Sequence, residues 1–144
     1  MILEVKFKEC HLKQLKLQDS QKYVEDCLTP TFISAIDETC EIGRTWYWKE
    51  DIIGCGFLFW NWNNQDDWMF WGFFSPLRGP MLLGLRRIFM NFIHERSIFH
   101  SIYTPMVPGF KEGYRFAKML GFEDSGTYVE PETGKKMEMM RLDF

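Results

Sequence analysis

Trp68-Met69-Phe70-Trp71-Gly72-Phe73-Phe74, then Ser75-Pro76-Leu77-Arg78-Gly79-Pro80, then Leu82, Leu85, Ile88, Phe89, Phe92 and Ile93: this stretch, between Asp67 and Arg96, decides the fold. The first run is apolar without alternation, the pattern of a strand buried on both faces. The second contains the residues that break a strand, and the third recurs at helical spacing. A strand, a short loop with Pro, Arg and Gly, and a helix opening onto that loop form an anion site in outline. The first amides of such a helix are unpaired and its dipole is positive there.

Working outward on the N-terminal side, Asn63-Asn64-Gln65-Asp66 is a turn. Before it, Ile52 to Trp62 reads as a strand with Ile53, Cys55, Phe57 and Phe59 on one face and Gly54, Gly56, Leu58, Trp60 and Trp62 on the other. Glu50-Asp51 is a tight turn, and Thr45 to Lys49 a strand with Trp46 and Trp48 opposite Tyr47. Upstream lie two short helices, from Asp19-Ser20 to Leu28 and from Thr29-Pro30 to Gly43, the second with Pro in its first turn. Leu3, Val5 and Phe7 alternate with charges in an opening strand. On the C-terminal side, Ser97 to Val107 reads as a strand. Phe110, Tyr114, Ala117 and Leu120 mark a helix closed by Gly121, and a hairpin turns around Pro131-Glu132-Thr133-Gly134. The expected fold is a mixed α/β domain spanning residues 1–144, with a mostly antiparallel central sheet covered by helices on both faces.

Bulk properties narrow the function. Apolar residues make up 46% of the 144 and aromatics 17%, a composition that folds around an aromatic core. A net charge of -3 argues against nucleic acid as a partner, because displacing phosphate counterions needs a basic surface. No apolar run reaches the ~20 residues of a membrane span, and Met1 to Lys6 lacks a signal-peptide core. Cys10, Cys27, Cys40 and Cys55 have no metal-type spacing and read as free thiols, so a cytoplasmic product is expected.

The element order resembles the GNAT superfamily of acyl-CoA N-acyltransferases along essentially the whole chain. Phe74-Ser75-Pro76-Leu77-Arg78-Gly79 is similar to the family's approach to the cofactor pyrophosphate, and Arg115-Phe116-Ala117-Lys118-Met119-Leu120-Gly121-Phe122 to its Leu-Gly-Phe helix end. The resemblance implies a three-layer fold and a cofactor site at Phe73, Phe74, Arg78, Gly79 and Met81. The departures are equally specific. The family's small loop positions fall on Met81 and Leu83, and Pro80 cannot donate an amide. The family's tyrosine that protonates the leaving thiolate falls on Ala117, the Asn that opens its helix falls on Phe110, and no carboxylate lies between Trp68 and Phe74. The Trp-rich sheet, the altered loop before Arg86-Arg87 and the Arg115-Phe116 pair are similar to small GNAT-like internal virion proteins of short-tailed bacteriophages.

Two readings follow. In the first, the chain is a phage-derived interaction component without a cofactor, packaged in the virion or held in the host cytoplasm. It would dock on a phage structural or host protein through Trp60, Trp62, Arg86 and Arg87. In the alternative it is an acetyl-CoA-dependent N-acetyltransferase, with Tyr114 in place of the missing tyrosine. The plainer readings are a helix start for Arg78-Gly79, a solvated helix face for Arg86-Arg87, core for most tryptophans, no ligand role for His11 and His100, and no acid–base pair at His94-Glu95, since adjacent helix residues point apart.

Overall fold

The structure, a computed structural model, describes residues 1–60, 62–95, 100–131 and 133–144. Within these residues the strands are β1 (Ile2–Lys6), β2 (Ile42–Trp48), β3 (Asp51–Trp60), β4 (Trp68–Phe74), β5 (Ser101–Met106), β6 (Glu123–Val129) and β7 (Lys136–Asp143). They form one sheet in the order β1-β2-β3-β4-β5-β7-β6. Every neighbouring pair is antiparallel except β4 and β5, which run parallel. The helices are α1 (Glu9–Gln14), α2 (Pro30–Thr39), α3 (Gly79–Glu95) and α4 (Lys111–Met119), with a 3₁₀ helix at Asp19–Cys27. Ile98 and Phe99, assigned from the sequence to the β5 strand, lie outside the described residues, as does Glu132 of the last turn.

The sheet is buried on both faces, as the unbroken apolar run of β4 requires. On one face α1, the 3₁₀ helix and α2 bring Leu12, Val24, Ile33 and Ile36 against Phe7, Cys55, Phe57 and Phe73. On the other, α3 sets Met81 and Leu85 against Trp46 and Ile53, while Ala117 of α4 joins Leu58, Trp68, Ile102 and Met140. Burying each large side chain of this kind contributes about 1.5–3 kcal/mol. Glycines make the α3 face possible. A Cβ on Gly56 would stand 2.3 Å from the Trp46 ring, and one on Gly72 would stand 2.5 Å from Phe74. The bare backbone leaves room for Trp46 and Phe74 to stack, with centroids 6.0 Å apart.

Several sequence expectations need correction. Ile53 does not share a face with Cys55 and Phe57. Trp46 pairs with Gly54 and Tyr47 with Ile52, so Ile53 is an extra residue in a bulge, which turns it to the α3 side. Gly43 does not end a helix. α2 closes at Thr39 with Cys40 in extended backbone, and Gly43 belongs to β2, where its absent side chain lets Phe7 approach. The β2–β3 turn is Lys49-Glu50, with Lys49 at φ +57. α1 escaped the periodicity because it is only six residues long and buries just His11 and Leu12. The Asp19–Cys27 segment winds as a 3₁₀ rather than an α-helix.

Candidate functional site

The parallel pair β4–β5 is a fork. Among the described residues its register is Trp68 with Ile102 and Met69 with Tyr103, and past Met69 and Tyr103 the strands diverge. At the fork the Thr104 hydroxyl donates to the Phe70 carbonyl at 3.1 Å. A cleft of about 220 Å³ runs through the opening. Trp71, Gly72, Phe73 and Phe74 line one arm and Pro105, Met106 and Val107 the other; Val24 and Phe32 wall it on the α2 side, Phe89 and Phe116 on the α3–α4 side. Its walls are mainly hydrocarbon and aromatic, so a chain lying in it would be largely desolvated.

The open edge of β4 carries main-chain groups that a ladder would normally satisfy. Here the 3₁₀ helix and the residue before it satisfy them. The Gln21 Nε2 donates to the Gly72 carbonyl at 2.7 Å, and the Phe74 amide donates to Gln21 Oε1 at 2.7 Å. The Gln18 amide donates to the Phe74 carbonyl at 2.8 Å, and the Gln18 Nε2 donates to Gln21 Oε1 at 3.2 Å. None of these partners has a signature in the sequence, since a lone Gln at a helix start resembles any surface residue.

β4 feeds directly into α3. The Ser75 amide donates to the Ile53 carbonyl at 3.0 Å, and the Arg78 carbonyl accepts from the Leu82 amide at 3.1 Å, making Arg78 the residue that starts the helix. Arg78 and Gly79 are exposed, and nothing lies within 4 Å of a Cβ built on Gly79. The first turn therefore faces open space beside a guanidinium, with Pro80 contributing no donor. One expectation about this loop is corrected. The Met81 side chain does not overhang the helix start: it is 8% exposed and packed with Trp46, Ile53 and Leu85, because the helix turns that position toward the sheet. Leu83 remains exposed, at 64%.

No family model and no curated protein sequence matches the chain. Solved structures do match it. One is the aminoglycoside acetyltransferase AAC(6')-Ib in complex with coenzyme A and kanamycin, with a TM-score of 0.67 and 13% identity, covering 99% of this chain and 95% of that one. Another is an N-acetyltransferase from Staphylococcus aureus Mu50, with a TM-score of 0.69 and 16% identity, covering 99% and 97%. A third is yncA from Salmonella typhimurium, a putative acetyltransferase with its cofactor acetyl-CoA, with a TM-score of 0.64 and 12% identity, covering 99% and 94%. The fold is that of the GNAT acetyltransferases.

Within this GNAT fold the remaining sequence candidates fall in different places. Phe73 is buried against Phe57, and Phe74 is stacked on Trp46, so their side chains are core while their backbones border the cleft. Tyr114 is not among the residues that line the cleft. Its hydroxyl donates to Asp124 at 2.9 and 2.8 Å, and that bond holds its pKa above the ordinary phenol value. Placing Tyr114 in the proton path is thus corrected: although it lies three residues from Ala117 and packs in the same cluster, its hydroxyl is turned to Asp124, while Ala117 itself lines the cleft. Trp60 is 51% exposed at the end of β3. Trp62 is half-buried with its ring against Tyr103 and Tyr128, centroids 5.2 and 6.1 Å away. Arg86 and Arg87 are exposed on α3 and form no ion pair among the described residues.

The histidines take structural or surface positions. His11 is buried, and its Nδ1 accepts from the Lys8 amide at 3.1 Å and lies 2.7 Å from Thr45 Oγ1. Burial, then the Lys8 charge, lowers its pKa. Thr45 in turn lies 3.6 Å from the Cys55 thiol, which burial pushes up to about 12. His94 and His100 are exposed, the latter 3.6 Å from Asp67. The four cysteines are free thiols, and the described residues contain no His, Cys, Asp and Glu group able to hold a metal ion. No helix among them is long and apolar enough to cross a membrane.

Proposed function

We propose that the chain is an acyl-CoA-dependent N-acyltransferase, with acetyl-CoA as its donor and the β4–β5 fork as its site. The single observation that carries this reading is the fork itself: a parallel pair that opens past Met69 and Tyr103 onto an apolar cleft leading to the exposed start of α3. The solved structures of like fold support it, since two of those described above hold coenzyme A or acetyl-CoA.

The residues fit the cofactor in most respects. Gly79 leaves space at the helix start, and Arg78 with the Gly79 and Met81 amides would hold its phosphates. The β4 edge at Gly72 and Phe74 would hold its extended amide arm, and the Phe89 and Phe116 walls would keep water from it. When bound, the cofactor supplies an acyl group activated as a thioester. On the α2 side, the Glu130 carboxylate lines the cleft together with Tyr23 and would attract a cationic amine to the mouth. Burial, then Glu130, pushes the Tyr23 pKa up, so its phenol stays protonated there.

Calorimetry with acetyl-CoA, paired with an assay of thiol release over a panel of primary amines, tests the reading. Micromolar to sub-millimolar binding with amine-dependent thiol release is expected, and no heat at millimolar acetyl-CoA would remove it. A second reading, a phage-derived, non-catalytic protein that docks on a phage structural or host protein, draws support from Pro80 and from the Gln21 bonds that fill the β4 edge. Under that reading acetyl-CoA would not bind, and the protein would co-sediment with virions or a larger assembly.

A further inference from the structure

We infer that Gln21 is an internal competitor for the cofactor arm, a displaceable plug in the β4 edge. The inference rests on the proposed acyl-CoA reading and adds a gate to it. The carboxamide of Gln21 turns one N–H and its oxygen to β4: Nε2 donates to the Gly72 carbonyl and Oε1 accepts from the Phe74 amide, each at 2.7 Å. An extended ligand with two secondary amides can present the N–H of one and the C=O of the other to a strand edge, and so meet the same two groups. Gly72 and Phe74 border the cleft, and so do Gln18 and Gln21, so plug and ligand compete for one place. They cannot both be bonded there.

The plug is built to move. Gln21 sits on a 3₁₀ helix of nine residues, longer than that geometry usually sustains. Val24 anchors the segment in the core, and the Gln18 main chain holds the Phe74 carbonyl. The Gln21 side chain, in contrast, meets β4 through side-chain hydrogen bonds, with a third bond from Gln18 Nε2. A rotamer change on Gln21 is therefore enough to clear both β4 groups while the segment stays docked. Acetyl-CoA must drive that change, so its affinity is reduced by the fraction of the protein in the plugged state.

The test compares the wild-type chain with Gln21→Ala and Gln18→Ala, titrated with acetyl-CoA and, separately, with ADP, which has phosphates but no amide arm. Amide exchange of Phe74 is measured in each free protein. Gln21→Ala is expected to bind acetyl-CoA about ten-fold more tightly, the factor that removing one or two net hydrogen bonds from a competitor gives. Its affinity for ADP is expected to stay at the wild-type value, and its Phe74 amide to exchange faster until acetyl-CoA is added. Gln18→Ala is expected to fall between the two, and it keeps the experiment decisive should Gln21→Ala fold poorly. Equal acetyl-CoA affinity in all three proteins overturns the plug and leaves the acyl-CoA reading standing. An equal gain for ADP also overturns it, because the effect would then be a general loosening. Absence of acetyl-CoA binding in every protein overturns the acyl-CoA reading and the gate with it.

Discussion

At the scale of single residues, what an atom lacks matters as much as what it contributes. Gly56 has no Cβ, and the Trp46 ring occupies the place where one would be. Gly56→Ala is expected to destabilise the fold by about 1–3 kcal/mol, since neither a buried indole nor a strand backbone yields easily. Denaturant unfolding measures it, and a loss under a few tenths would mean that Trp46 repacks freely. Pro80 lacks the amide that a phosphate would meet at the start of α3. Pro80→Ala restores one donor, so acetyl-CoA affinity should rise several-fold, about one net hydrogen bond. An unchanged affinity in calorimetry would show that the first turn of α3 does not meet the phosphates. Both residues were visible in the sequence as small or rigid positions. Their partners were not, because Trp46 meets Gly56 only after β2 has paired with β3.

Among the elements, α3 and the β4–β5 fork carry the site. Met81 fastens the first turn of α3 to the sheet through Trp46, Ile53 and Leu85. Met81→Ala is expected to cost about 2–4 kcal/mol in stability without improving acetyl-CoA binding, because the side chain fills core rather than the anion site. If truncation instead left stability intact and tightened binding, the obstruction expected from the sequence would be reinstated. Helix phase explains why sequence reasoning misplaced this residue. Alignment to a loop motif says which position is bulky, but only the rotation of the docked helix says where that position points. β4 was legible from end to end, Trp68 to Phe74, since an apolar run bounded by turn residues is a strong strand signal. Its divergence from β5 was not legible, because strand patterns carry no record of where pairing stops.

For the molecule as a whole, stability should depend on pH through His11. Its folded pKa lies below the ordinary 6.5, so the neutral ring is favoured by folding. The contribution is fully present above about pH 6.5 and is lost as pH falls from there toward the depressed native value, where the unfolded chain takes up the proton first. Unfolding midpoints at pH 7.5, 6.5 and 5.5 should drop for the wild type and drop less for His11→Asn; parallel slopes would remove His11 as the cause. By itself the sequence determined the strand and helix order from β2 onward, the burial of the sheet on both faces, and the loop chemistry at Arg78 and Pro80. These follow from local spacing and residue type, which a chain carries before it folds. Tertiary structure alone decided the Ile53 bulge, the inward turn of Met81, the departure of Tyr114 from the cleft and the pairing of Gln21 with β4. Each depends on contacts between residues far apart in sequence or on the phase at which a helix docks, and neither is written in the spacing of residues along the chain.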